Sequence, residues 1–512
     1  MIPARLLTTV FTLCVLTVAS LSSADEPNTA APASAWLSTA QIQRDVALAK
    51  ETYERVHPGY LRYATADDMH DRWQQIIDVA VEKEGLSVGQ FYLMLSKTLT
   101  AIRCDHTKAE LPTALRDDRN ATPVYFPAQI DLIERRGFIR RAPVGSPLKP
   151  NDEIMRIDGR TLSDWLDAVE PYIPMDGYTP WARNAGLTAS LEFMGGALDH
   201  FGALLFDIQP VASVQIKRMD AESGKSGKLI TLDVPRITHK EWLALGLDSG
   251  VGYLDVPTQT AANFKDGVHV RIHNTTAYLR VDTFVNYRDP VEPDAILNPV
   301  FTRLKAAGVS TLVLDLRRNG GGSTDAKNRL LAYLLPKTVR PVREKRVKTL
   351  DLDGLREHLW TWDKRALNPN PLGFRKNDDG TYTLRAFVSD DLDKVKPAKD
   401  AFNGSIIALT SNANSSGSTN LLAILKEHTD VTLVGERTGG SAEGPTAGLL
   451  FTLTLPESQI KARVPFFRQF NNVESFEQGL GLSPDVLAHQ TVDDYLNGRD
   501  TVLLKAMSLA QP

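Results

Sequence analysis

The sequence is poor in cysteine: only Cys14 and Cys104 occur in 512 residues. Because Cys14 lies in an apolar N-terminal run that we expect to be removed, Cys104 is left alone in the mature chain. A single thiol excludes an intramolecular disulfide and disfavours a cysteine metal site. The sequence also lacks a His-Glu-x-x-His motif or a comparable histidine cluster. We therefore predict no metal and no cofactor.

The chain also has little excess charge of either sign. Its formal net charge is −4, and its composition of 42% hydrophobic and 23% charged residues is that of an ordinary soluble protein. A general affinity for nucleic acid needs a strongly basic surface. We therefore expect no nucleic-acid partner.

Long apolar runs are confined to the N-terminus. Arg5 precedes an apolar run from Leu6 to about Leu21, and the small residues Ser22-Ser23-Ala24 follow. This order is typical of a secretory signal peptide, whereas a membrane anchor needs a longer run. We predict a signal peptide at 1–24, a linker at 25–35 and an exported protein, periplasmic or secreted, with no membrane span after cleavage.

Three amphipathic helices are predicted over residues 36–115. Ser38 and Gln41, and again Ser87 and Gln90, have the spacing of capping boxes ahead of periodic apolar residues. Short alternating runs broken by glycine and proline then predict a β-rich module at 116–180. A less regular β-rich connecting region follows at 181–270, with paired strands predicted in "VASVQIKRM" and "KLITLDVPRI".

From residue 271 to 490 apolar strands alternate with helices. This order implies right-handed crossovers and an α/β domain with a mainly parallel sheet. A polar interval at 337–403 is too long for a simple loop and is predicted to be an insertion or lid. A C-terminal helix is expected at 491–512.

Two strands of this domain end in unusual segments, "RRNGGGST" and "SNANSSGST". In open parallel sheets, sites form at the carboxyl ends of strands. Consecutive glycines can turn backbone N–H groups towards a ligand, or can simply make a tight turn. One helix cap needs one hydroxyl, so the surplus of serines allows a second interpretation, in which one of them is a nucleophile.

An ordered set of motifs resembles the C-terminal processing (tail-specific) serine peptidases and their tricorn and retinoid-binding relatives. The motifs lie over roughly residues 40–490 and read "IRCDHTKAEL", "SPLKPNDEIMRIDGRTLSDWL", "VLDLRRNGGG", "IIALTSNANSSGSTNLLAIL", "TLVGERTGG" and "GLGLSPDV". The resemblance implies a crotonase-like α/β catalytic domain with an N-terminal helical region. It also implies that the 116–180 module is PDZ-like.

The resemblance places the nucleophile at Ser416, which makes Ser415 and Ser418 turn and cap residues. It also implies an oxyanion hole formed by the backbone N–H of Gly417 and of one glycine in the run 320–322. Gly321 is our first choice for the second donor, followed by Gly322. Such donors act by being fixed where negative charge develops.

The proton acceptor departs from the processing-peptidase pattern. Many of those enzymes use a lysine after the "VGE" strand, but Ser441 occupies the matching place here. Tricorn-type relatives use a histidine from the helical region, which corresponds to His106, and an ordinary histidine pKa of about 6.5 suits this role. The resemblance also implies a late glutamate. We rank Glu477 first for it, with Glu474 and Glu443 as alternatives.

The sequence thus predicts an exported serine endopeptidase that cleaves polypeptides through an acyl-enzyme. The leading alternative is a catalytically inactive family member that binds an apolar ligand or a peptide. A third possibility is an adaptor that binds peptides through the PDZ-like module.

Overall fold

The computed structural model describes residues 36–188, 190, 193, 195–218, 227–246 and 260–510. The predicted signal peptide and linker lie outside these residues. Within the described ranges, no helix combines the length and the apolar character needed to cross a membrane.

The N-terminal region is helical, as predicted. Its helices are Thr39–Val56, Ala66–Glu82, Val88–Thr100 and Thr113–Ala121. Both predicted capping boxes are present. The first helix buries the face predicted from its apolar spacing, which consists of Ile42, Val46, Ala49, Tyr53 and Val56.

An antiparallel sheet follows the helices and extends beyond the predicted module boundary at residue 180. Its path joins Gln129–Ile133, Arg136–Arg141, Glu153–Ile157, Val211–Lys217 and Leu229–Pro235 in that spatial order. The last two strands pair with each other as predicted, but the first of them also pairs with Glu153–Ile157. The boundary therefore cuts a single sheet, because the pairing joins strands more than 50 residues apart. Helices Leu162–Val169 and Ala197–Leu205 pack together beside this sheet.

The second half of the chain contains the predicted, mainly parallel sheet, which we call the central sheet. Its strands in spatial order are Val268–His273, Thr276–Val281, Thr311–Asp315, Ser405–Thr410, Thr432–Gly435 and Val486–Leu487. Only the first pair is antiparallel. Helices Pro293–Ala306, Thr324–Leu334 and Ser416–His428 share one buried apolar core with it. The protein therefore has a mixed α/β fold.

Part of the predicted insertion belongs to a third sheet. Val342–Val347 pairs with the long strand Lys461–Asn471, which also pairs with Thr446–Thr454. The short strands Phe374–Lys376 and Tyr382–Leu384 extend its edge. The sequence "VREKRV" conceals its strand, because a lysine occupies one of the three buried positions. At the C-terminus, two short helices, Val492–Leu496 and Thr501–Leu509, stand where one was predicted.

A buried lysine lies beneath the helix Ser416–His428. Lys327 is 3% exposed, and its Nζ donates to Asn420 Oδ1 at 2.6 Å. Burial lowers the pKa of Lys327 to about 7; the Asp391 charge opposes this shift and the Lys345 charge adds to it. The unfolded chain therefore binds more protons than the folded chain between pH 7 and the ordinary lysine value of 10.5.

We expect Lys327→Met to flatten the pH dependence of the free energy of unfolding. Lys327 should make this free energy rise by up to about 1.4 kcal/mol per pH unit above its folded-state pKa. The variant should lose that rise. Denaturant titrations of both proteins across this pH range measure the difference, and parallel curves would show that folding does not lower the pKa of Lys327.

Candidate active site

Ser416 begins a helix directly after the turn that follows strand Ser405–Thr410. Its φ is +50°, a left-handed conformation that is uncommon for a residue with a side chain. Such backbone strain is concentrated at functional sites. Ser415 occupies the N-cap position, but its Oγ donates to Asp105 Oδ2. Ser418 is buried, and its Oγ accepts a hydrogen bond from Asn414.

The glycine run after strand Thr311–Asp315 lies against this turn, because the two strands are parallel neighbours. A Cβ on Gly321 would lie 2.9 Å from both Ser416 Cβ and Gly417 N. The Gly321 N–H already donates to Asn319 Oδ1 at 2.9 Å. Within the described residues, the N–H groups of Gly322 and Gly417 have no acceptor. Two backbone donors are therefore available beside Ser416, and the Gly322 nitrogen lies 3.7 Å from the position of a Cβ added to Gly417.

We expect Gly322→Ala to abolish activity or folding and Gly320→Ala to be tolerated. Gly322 has a φ of +135°, and a Cβ there would overlap the backbone of Phe284 and Val285. A Cβ on Gly320 would meet only the Ala413 carbonyl oxygen, at 3.8 Å. Loss of an oxyanion donor lowers kcat by roughly 100- to 1,000-fold. Peptide-cleavage rates and Tm values of the two variants test this prediction. Equal activity of Gly322→Ala and Gly320→Ala would show that the glycine run tolerates a side chain at position 322.

His106 lies at the same turn, paired with a carboxylate that sequence reasoning did not assign. Its Nδ1 is 2.5 Å from Asp105 Oδ1, while the other oxygen of Asp105 accepts from Ser415. Helix Val88–Thr100 ends a few residues earlier, and the hydrogen bond from Ser415 to Asp105 holds this segment beside the serine turn. The motif "CDHT" could have indicated this pair, because the aspartate directly precedes the histidine in the sequence.

The carboxylate controls the protonation of His106. Burial alone would lower the pKa of His106, but the negative charge of Asp105 outweighs burial and raises it above the ordinary value. In turn, the imidazolium holds the pKa of Asp105 below its usual range, against the effect of burial. Each group thus favours the charged form of the other.

A second buried acidic group, Asp176, lies close enough to this pair to sense the charge of Asp105. Asp176 is 2% exposed and accepts a hydrogen bond from the Ser441 N–H at 2.8 Å. Burial raises the pKa of Asp176, and the nearby charge of Asp105 adds to the effect. Ser441, which occupies the sequence position of the missing lysine, therefore donates a backbone hydrogen bond to Asp176.

The structure does not bring Glu477 to the serine turn. Glu477 lies at the surface in an ion pair with Arg437 at 2.7 Å, and Glu474 is also exposed. Glu443 is largely buried and is held by Arg62, Tyr63 and the Gly479 N–H. The carboxylate beside His106 is therefore Asp105, whereas the expectation for Glu477 rested on the family resemblance.

One group of potential metal ligands occurs among the described residues. Ligand atoms of Cys104, Asp105 and His106 lie within 4.8 Å of one another. Two of them already form the Asp105–His106 ion pair, and Cys104 Sγ donates to the Thr446 carbonyl. The absence of a metal stays a prediction.

Comparison with known proteins identifies the class. Residues 275–488, which include the glycine run and Ser416, match the model of peptidase family S41. This part of the chain is that of a serine-type peptidase. It is similar to that family and to its tail-specific and tricorn-like members.

The solved structures of mature CPAF share the fold. Mature CPAF in complex with lactacystin matches with a TM-score of 0.60 and 14% identity, over 92% of this chain and 97% of that chain. Mature CPAF alone matches with the same TM-score and identity, over 92% and 96%. A putative peptidase from Parabacteroides merdae aligns over 93% and 98% at 13% identity, with a TM-score of 0.43. No curated protein sequence matches the chain.

Proposed function

We propose that the protein is an exported serine endopeptidase with Ser416 as its nucleophile. The observation that carries this proposal is the left-handed Ser416 at a helix start, against a glycine loop with two available N–H donors. A helix N-terminus and free amides favour negative charge at this point. An acyl-transfer reaction develops such a charge on the carbonyl oxygen of the substrate.

In the proposed reaction, Ser416 Oγ attacks the carbonyl carbon of a peptide bond while His106 accepts the hydroxyl proton. The Gly322 and Gly417 amides stabilise the oxyanion, and His106 then protonates the leaving amine. Water then attacks the resulting ester while His106 accepts a proton from it, and His106 returns this proton to Ser416 Oγ as the bond to the serine breaks and the acid product leaves. This order returns every group to its starting state.

Asp105 is proposed to orient His106 and to stabilise its protonated form. Its two oxygens face different partners, His106 Nδ1 and Ser415 Oγ, so it links the histidine to the serine turn. A carboxylate at Nδ1 leaves Nε2 as the nitrogen that exchanges the proton with the serine. We assign to Asp105 the role that the family resemblance implied for Glu477.

The antiparallel sheet is proposed to be the PDZ-like module and the α/β domain to be crotonase-like. Gln129–Ile133 and Leu229–Pro235 lie at the two ends of the sheet path. An edge strand can accept an extended peptide by strand addition, which would deliver substrate to the site.

The experiment that tests the function is mass-spectrometric analysis of denatured proteins and peptides incubated with residues 25–512. Ser416→Ala is incubated in parallel. Fragments produced only by the unaltered protein would support the endopeptidase. No cleavage at any pH by folded protein would overturn it and favour a peptide- or ligand-binding role.

A further inference from the structure

A buried asparagine connects the serine turn to the segment that leads into the glycine run. Asn414 is 0% exposed and lies two residues before Ser416. Its Nδ2 donates to the carbonyl of Leu316 at 2.6 Å and to the carbonyl of Asn319 at 3.1 Å. Leu316 directly follows a strand of the central sheet, and Asn319 directly precedes the glycine run. One carboxamide therefore holds both ends of the short segment between them.

The same residue is fixed on the serine side. Asn414 Oδ1 accepts from the Ser411 N–H at 2.8 Å, and Nδ2 also lies 3.0 Å from Ser418 Oγ. The Asn414 carbonyl accepts from the Gly440 N–H at 2.8 Å. A carboxamide offers both donors and an acceptor, so it can bridge two backbone segments. A shift of the glycine run relative to the serine turn would leave buried polar groups without partners, which is costly.

The position of Asn319 in turn determines the course of the glycine run. Asn319 is also 0% exposed, its Nδ2 donates to the Val281 carbonyl at 3.1 Å, and its Oδ1 accepts from the Gly321 N–H at 2.9 Å. The next peptide N–H is that of Gly322, the proposed oxyanion donor. A displacement of the Asn319 carbonyl therefore displaces this donor relative to Ser416.

We propose that Asn414 is a positioning residue that fixes the Gly322 N–H relative to Ser416 Oγ. This inference rests on the proposed peptidase function and names the side chain that keeps its oxyanion hole in place. Because Asn414 is fully buried, it acts through the backbone of the glycine run and not by contact with the substrate. Oxyanion donors work because they are fixed where charge develops, and a misplacement of about 1 Å can lower a rate by about 100-fold.

The test removes the donors of Asn414 and keeps the shape of its side chain. Asn414→Asp retains an acceptor for the Ser411 N–H but places a carboxylate against the carbonyls of Leu316 and Asn319. We expect kcat of the folded variant to fall roughly 100-fold, while KM changes little because oxyanion donors act mainly in the transition state. Asn414→Ala removes the same donors without adding a charge, and it gives the same test if Asn414→Asp does not fold.

Inhibition by a peptide aldehyde provides a second readout. The aldehyde carbon forms a bond to Ser416 Oγ, the hydroxyl proton moves to His106, and the aldehyde oxygen carries the negative charge. The inhibition constant should therefore rise by about the same factor as kcat falls. A change that only lowered the stability of the fold would not move this constant in folded protein.

Asn471→Asp is the matched control. Asn471 is 2% exposed, its Nδ2 donates to the Ala442 carbonyl at 2.9 Å, and its Oδ1 accepts from Asn420 Nδ2 at 2.8 Å. The variant loses a buried donor in the same way, but neither of these contacts involves the glycine run. Its Tm should fall, because a buried polar contact is lost, while kcat and the aldehyde inhibition constant stay at the values of the unaltered protein.

The outcomes separate the inference from the proposed function. A folded Asn414 variant with the kcat and the aldehyde affinity of the unaltered protein would overturn the inference. Equal losses in Asn414→Asp and Asn471→Asp would also overturn it, since they would reflect general destabilisation. If the unaltered protein cleaved no peptide and bound no aldehyde, the proposed function would be wrong, and the inference would be wrong with it.

Discussion

Replacing Ser416 with alanine should lower kcat by about 10⁴-fold or more, because no other group could form the acyl-enzyme. The side chain lies at the surface of a turn and not in the apolar core, so the Tm should change little. Peptide-cleavage rates and thermal unfolding of the purified variant give both values.

Ser415→Ala is the control that distinguishes the two adjacent serines. Ser415 Oγ donates to Asp105, so its loss removes one hydrogen bond to the carboxylate and should reduce kcat by only about tenfold. If Ser415→Ala were inactive and Ser416→Ala active, the nucleophile assignment would be wrong.

The second large effect is expected at His106. His106→Ala should lower kcat by about 10²- to 10⁴-fold, the usual contribution of general acid–base catalysis. Because Asp105 raises the pKa of His106, the neutral imidazole forms only at higher pH than for an ordinary histidine. The kcat/KM of the unaltered protein should therefore rise with pH through an apparent pKa above about 6.5.

Asp105→Asn tests the cause of this shift. Without the carboxylate, burial lowers the pKa of His106, so the rising limb of the pH–rate profile should move to lower pH while the plateau falls. His70→Gln alters an exposed histidine and should leave the profile unchanged. A profile that stays at the same pH in Asp105→Asn would show that this carboxylate does not act on the catalytic base.

The serine and glycine parts of the site follow from local sequence. "RNGGG" and "NSSGST" each stand at the end of an apolar strand, and neighbouring parallel strands necessarily bring their carboxyl ends together. The sequence could not predict which glycine N–H is available. The Gly321 N–H donates to Asn319 Oδ1, and this hydrogen bond depends on the folded loop.

The acidic residues were harder to assign, because their roles depend on which charges face them. Glu477 is near the chain position that the resemblance implies, although not in register with it, and it pairs with Arg437 at the surface. Asp176 could not be singled out, since its partner Ser441 is 265 residues away. Aspartate and glutamate are common in sequences, and only tertiary contacts determine which of their carboxylates are buried and which are solvated.

The fold was predictable where periodicity is strong and contacts are local. Capping boxes and apolar spacing predicted the first helices, and alternation predicted the strand pair after residue 210. The strand Val342–Val347 was missed because Lys345 is buried against the ring of Phe467 and pairs with Asp391, a compensation that no local pattern reveals.

Covalent labelling with a fluorophosphonate, followed by peptide mass spectrometry, tests the central claim most directly. We expect one adduct per chain on Ser416, formed faster as pH rises, and none in His106→Ala over the same time. Folded protein that gains no adduct, or gains it on Ser415 or elsewhere, would contradict the assignment of Ser416 as the nucleophile.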